Sequence, residues 1–280
     1  MIPILAGLTA AVMWGLSTVV ASRSTKAIGS QGALAWVMLI GGAFALALAP
    51  LFAFPHGASA DAWMWAVAAG AGSAFGLSMM YRALRIGKVG VVAPIASTEG
   101  ALAAVLSIAL GERLTAGVAV CLAVIALGIF VVTLRGSATD IHLRPSLYAM
   151  AAACSFGVGL VGSSRAGTEL GALWTILIAR AIGVTAVAVP LIVTRRLPRP
   201  RPGRVWWMVT FSAAAELIGF AAFIGGSQHG VAIPAVLASQ FAAVAAAVSY
   251  VLFGERLGVR QRAGAVVIFA GVAVLSLLRA

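Results

Sequence analysis

Three charged side chains sit where the sequence offers them no water. Glu99, Glu216 and Arg180 all lie inside long apolar runs. A charge at the centre of a bilayer costs roughly 2.5–3.5 kcal/mol on insertion scales, so each of the three must face protein or a water-filled cavity. A carboxylate placed this way can bind a substrate cation or carry a proton. An arginine can hold a substrate carboxylate, or can pair with one of the glutamates and simply fix packing. Gln240 falls near the position that repeats Glu99 in the second half of the chain, so a polar group recurs at one place in two copies. A zwitterionic solute could use such a set, its amine near a carboxylate and its own carboxylate near Arg180 or a helix N-terminus.

Aromatic residues supply the second kind of candidate. Trp14 is expected to wall a cavity because Phe156 repeats it, and Tyr81 carries a hydroxyl that needs a partner. Trp36, Phe75, Phe220, Phe241 and Tyr250 also lie deep in apolar runs and read as packing residues. Trp63, Trp65, Trp174, Trp206 and Trp207 fall near the ends of such runs, as interface anchors do. His56, His142 and His229 are far apart in loops, and Cys121 and Cys154 fall in apolar runs as small hydrophobes. No HExxH, paired CxxC, GxSxG or GxxxxGK[ST] pattern is present. Neither a metal, a cofactor nor an enzymatic activity is expected.

The elements that must position these residues follow from composition. Hydrophobic residues make up 62% of the 280, charged ones only 9%, against about 25% in soluble domains. A net charge of +12 would fit nucleic acid, but the basic residues are confined to short connections, which excludes that partner. Apolar runs of about 20 residues predict an all-α membrane protein with ten transmembrane helices. Their expected spans are 3–22, 31–54, 62–84, 89–110, 115–134, 145–165, 172–194, 204–226, 231–253 and 260–278. The first is read as a retained helix rather than a cleaved signal.

The chain also repeats itself. Pro94-Ile-Ala-Ser-Thr-Glu99 and Gly111-Glu112-Arg113-Leu114 return as Pro234-Ala-Val-Leu-Ala-Ser-Gln240 and Gly254-Glu255-Arg256-Leu257. Trp14-Gly15 matches Phe156-Gly157 and Ser22-Arg23 matches Ser164-Arg165, both 142 positions apart; Ala49-Pro50-Leu51 matches Val189-Pro190-Leu191. Two five-helix repeats, 1–140 and 141–280, are expected. An odd helix number inverts the second relative to the first, around a central cavity. Pro94 and Pro234 open their helices as first-turn prolines or as paired hinges. Glu112-Arg113 and Glu255-Arg256 read as interfacial ion pairs. Connections after helices 1, 3, 5, 7 and 9 hold fifteen of the nineteen Lys and Arg residues. Positive loops stay in the cytoplasm, which puts both termini in the periplasm.

Helix count, repeat, the early Trp-Gly, Tyr81-x-Ala83-Leu84 and the twin Gly-Glu-Arg-Leu endings together resemble the EamA branch of the drug/metabolite transporter superfamily. The overall pattern is most similar to bacterial exporters of aromatic amino acids of the YddG type. The resemblance implies a secondary transporter in the bacterial inner membrane that exports small metabolites, above all aromatic or other neutral amino acids, by alternating access. A monomer in the lipid bilayer, moving a small-molecule substrate with protons as a candidate coupling ion, would suffice. The competing readings are efflux of lipophilic cations and a membrane scaffold that transports nothing. The family often carries proline where this chain has Gly100, so the shape of helix 4 is expected to differ there.

Overall fold

The computed structural model describes residues 2–87, 89–133, 143–200 and 203–253, together with Val267 and Val274. Apart from those two valines, the expected tenth helix lies outside the described residues, as do His142 and Glu255-Arg256. The described residues form helices and no strand: α1 (Ile2–Ile28), α2 (Ser30–Leu48), α3 (Ala60–Ile86), α4 (Val89–Ala96), α5 (Glu99–Ala109), α6 (Ala116–Thr133), α7 (Leu143–Gly183), α8 (Val189–Val193), α9 (Arg204–Gly226), α10 (Ala232–Ala238) and α11 (Phe241–Phe253). Hydrocarbon cannot bond to a backbone, so apolar runs close their hydrogen bonds within the helix.

The segment Leu143–Val193 runs for 51 residues. A straight helix of that length would reach ~75 Å, far beyond the ~30 Å hydrocarbon core. Gly171, at φ 71° and ψ 171°, breaks it into two arms. Both arms pass α3 at one height: Gly162 packs on Ala69, and Gly70 packs on Ala179 and Ile182. The element is therefore a hairpin, and its arms correspond to the sixth and seventh expected helices. Past Gly183 the second arm winds as a π-helix over Val184–Ala188 before Pro190, which has no N–H to continue the ladder.

The fourth and ninth expected helices are each broken in the middle. α4 gives way to α5 at Ser97-Thr98, and α10 to α11 at Ser239-Gln240, 142 positions later. At both breaks the ladder tightens to a three-residue step, Thr98 N–H to the Ile95 carbonyl (3.2 Å) and Gln240 N–H to that of Leu237 (3.1 Å). A hydroxyl bonds back over three residues at each, Thr98 Oγ1 to the Ile95 oxygen (2.8 Å) and Ser239 Oγ to the Val236 oxygen (2.7 Å). Such hydroxyls compete with the helix for its carbonyls. Glu99 consequently opens α5 instead of sitting inside an unbroken helix. Pro234 is the third residue of α10, where a missing N–H costs nothing. Pro94 is the sixth of α4, where the bond to the Gly90 carbonyl is lost. The two prolines are thus not equivalent in their helices.

α5 crosses α10 at Gly100. A Cβ there would lie 2.4 Å from the Ala235 carbonyl oxygen and 2.7 Å from Ser239 Cβ. That contact accounts for a residue without a side chain at this point of the chain. α1 lies along α9, and α3 along α7.

Polar contacts bring alternate connections together at one end of the bundle. Ser59 donates from N and Oγ to Glu169 (2.7 and 2.9 Å), and Trp174 Nε1 donates to the Ala53 carbonyl (2.8 Å). Arg165 Nη2 reaches the Leu110 carbonyl (3.1 Å) and stacks over Trp65. Glu112 accepts from Val231 N (2.9 Å) and Ala232 N (3.3 Å). It caps the N-terminus of α10, where an ion pair with Arg113 was expected; a carboxylate at exposed helix-end N–H groups satisfies donors that have no other partner. The two Ser59 bonds hold the Glu169 carboxyl below the usual carboxylate range. At the other end Trp36 Nε1 donates to the Pro198 carbonyl (2.8 Å), and Gly87 packs on Pro145.

Gly100→Ala should destabilise the protein by about 1–3 kcal/mol, because the α5–α10 crossing cannot accept a methyl group. Gly225→Ala, where a Cβ meets nothing within 4 Å, should be neutral or slightly stabilising. Thermal unfolding of the two variants in detergent compares them directly.

Candidate functional site

The broken helices meet α1, α3, α7 and α9 around a central cavity whose enclosed volume is about 50 Å³. α1 contributes Trp14 and Thr18, and α3 contributes Ser73, Leu77 and Met80. Glu99 enters from the first turn of α5, Phe156, Gly159 and Leu160 from the first arm of α7, Glu216 and Phe220 from α9, and Phe241 from α11. Three pairs among them are 142 positions apart: Trp14 and Phe156, Thr18 and Leu160, Glu99 and Phe241.

The three buried charges are not equivalent. Glu99, Glu216 and Arg180 expose only 4%, 7% and 3% of their surfaces, so none can rely on bulk water. Arg180 Nη2 lies 3.7 Å from Glu216 Oε2, an ion pair longer than a hydrogen bond. Its Nη1 donates to Met38 Sδ (3.4 Å), and Ser17 Oγ donates to Glu216 Oε1 (3.3 Å). Gly41 of α2 leaves the space that the guanidinium fills. Arg180 lines a second, much smaller void of about 10 Å³, which shares Ser73 and Phe220 with the first. Glu99 receives no hydrogen bond and no ion pair from the described residues.

Of the residues singled out in the sequence, Trp14, Glu99, Phe156 and Glu216 line the main cavity and Arg180 the smaller one. Tyr81 and Gln240 are buried and line neither; the Tyr81 hydroxyl and Gln240 Nε2 have no hydrogen-bond partner among the described residues. Trp14 Nε1 is likewise unpaired, pressed against Gly219. Its indole meets Phe220 edge-on at 5.1 Å. Thr18, Ser73 and the α9 partner Ser17 escaped notice in the sequence. Their signal was position: Ser17 and Thr18 follow Trp14 at three and four residues, hence on its helix face.

The family model for EamA-like transporters matches residues 1–134 and again residues 143–277. The chain belongs to the EamA-like transporter family. Membership makes it a multi-pass membrane transporter of small molecules. A solved crystal structure with 21% sequence identity aligns over 99% of this chain and 96% of its own length, with a TM-score of 0.75, and has the same fold. No curated protein matches the sequence.

Breaking the Arg180–Glu216 pair from one side leaves a buried charge uncompensated, so Arg180→Met alone and Glu216→Gln alone should each cost about 3–5 kcal/mol. The double variant should regain most of that loss. A double-mutant cycle read by unfolding in detergent measures the coupling.

Proposed function

We propose that this EamA-like protein is a secondary transporter that exports small amine-bearing metabolites, neutral and aromatic amino acids among them, by alternating access across the bacterial inner membrane. The observation that carries the reading is Glu99. It is a carboxylate without a protein partner among the described residues, at the start of a half-helix, in a cavity walled mainly by aromatic and apolar side chains with Thr18, Ser73 and Glu216 among them. A substrate ammonium supplies what that carboxylate lacks, through a charge-assisted hydrogen bond and the faces of the surrounding rings.

The architecture supports the same reading. Two family matches, one per half, and cavity-lining pairs 142 apart accord with two inverted five-helix repeats, 1–140 and 141–280, with the site at their seam. In this reading the protein works as a monomer. The basic connections put the end bearing Arg195 and Arg196 in the cytoplasm and both termini in the periplasm. Glu99, exchanging a proton for a substrate cation, is the candidate coupling group; Pro94 and Pro234 are the candidate hinges.

A second reading, efflux of lipophilic cations, is favoured by one observation. Arg180 faces only the smaller cavity, so the main one holds two acids and no base.

Counterflow in proteoliposomes tests both, with labelled amino acids, monoamines and a permanently charged lipophilic cation as solutes. Flux of an amine-bearing solute is expected, and Glu99→Gln should reduce it at least about tenfold, the equivalent of one lost charge-assisted contact. Flux of the lipophilic cation alone would replace the first reading by the second. Flux unchanged in Glu99→Gln would remove the role given to that carboxylate, and flux indifferent to a pH gradient would make the protein a facilitator.

A further inference from the structure

Phe220 borders both cavities, as Ser73 does; Glu99 and Glu216 line one and Arg180 the other, with Arg180 and Glu216 paired across the boundary at 3.7 Å. It is gripped from both: the Trp14 indole packs edge-on at 5.1 Å, and the Arg180 guanidinium carbon lies 5.8 Å from the ring centroid. The guanidinium is engaged by Glu216 and Met38, yet its Nη2 keeps an unused donor. A ligand in the main cavity therefore meets carboxylates, aromatic rings and the hydroxyls of Thr18 and Ser73, and meets no cation.

We propose that Phe220 is the residue that sets substrate specificity. With its ring in place the cavity recognises an ammonium group and disfavours a carboxylate beside it. The favoured ligands are small aromatic or branched amines and the esters or amides of amino acids, ahead of the free zwitterions. This rests on reading the main cavity as the substrate site. A free α-carboxylate bound there would lose its water, gain no donor from Arg180, and lie near two carboxylates and the negative faces of the rings. Removing the ring joins the compartments and brings the unused Arg180 donor within reach of that carboxylate.

Isothermal titration of the purified full chain in detergent, at neutral pH, tests this with phenethylamine, phenylalanine methyl ester, phenylalanine and 3-phenylpropionate. The amine and the ester should bind at least about tenfold more tightly than phenylalanine, the ratio that one unpaired, desolvated polar group produces. 3-Phenylpropionate should not bind measurably. In Phe220→Ala the ratio should shrink to about threefold or less as phenylalanine gains the Arg180 contact. Phe220→Leu, which keeps an apolar filler, should move it in the same direction and serves if the alanine variant does not fold. Phenylalanine binding as tightly as its ester to the unaltered protein would overturn the inference, as would an unchanged ratio in the folded Phe220 variants. Failure of every amine to bind, or amine binding untouched by Glu99→Gln, would instead overturn the assignment of the cavity itself, and the inference with it.

Discussion

A carboxylate inside a bilayer protein needs a cation, a set of donors or water. Among the described residues the bundle buries two such groups and one arginine. Glu216 takes the arginine and the Ser17 hydroxyl. Glu99 is left over, and the space around it is what makes the interior a site instead of a packed core. Partnering both acids would be compatible with a closed interior; leaving one unpartnered demands a cavity that admits water, a proton or a positively charged solute. Helix geometry meets part of the demand. Glu99 stands in the first turn of α5, where the helix dipole favours a negative charge.

The three charges were legible in the sequence because a charge inside an apolar run is costly and must be turned toward protein or a cavity. So was the set of helices that walls the cavity, since charge, glycine and proline punctuate the runs between them. The breaks at Ser97-Thr98 and Ser239-Gln240 were not legible. Neither pair holds glycine or proline; Ser239-Gln240 has apolar neighbours, and Ser97-Thr98, though followed by Glu99, lies within a long apolar run, so hydropathy reads through both. What opens the helix is local: small hydroxyls that bond back over three residues. The pairing of Arg180 with Glu216, in preference to Glu99, was equally hidden, because it depends on which face of α7 meets α9. The Glu112 cap was hidden for a related reason. Its partners are backbone N–H groups 119 and 120 positions away, and backbone donors leave no mark in a sequence.

The same hidden geometry explains how a repeated scaffold acquires a directional interior. Positions 142 apart meet at or around the cavity, yet their chemistry differs. Arg180 of the second half donates to Met38 of the first, across that spacing. Glu99 corresponds to Phe241, and Thr18 to Leu160. In each pair one residue is polar and the other apolar, so neither half could form the cavity from two copies of itself. Two arginines at the 38/180 position would place two buried guanidinium groups against each other, and two glutamates at the 99/241 position would do the same for carboxylates. Like charges at such distances in a medium of low dielectric are strongly unfavourable.

That constraint ties specificity to asymmetry. A cavity with one partnered acid, one unpartnered acid and an arginine behind a phenylalanine ring presents different faces to the two ends of a solute. Phe220 borders both cavities. It is wedged between an indole whose N–H is unpaired and a guanidinium with a donor to spare. Both neighbours keep an unpaired donor, and the ring holds packing against the indole and a cation–π contact with the guanidinium. Two of the unpaired buried donors among the described residues thus flank one ring, the others being at Tyr81, Ser212 and Gln240. A rigid membrane core would have no reason to keep two such donors beside one aromatic ring.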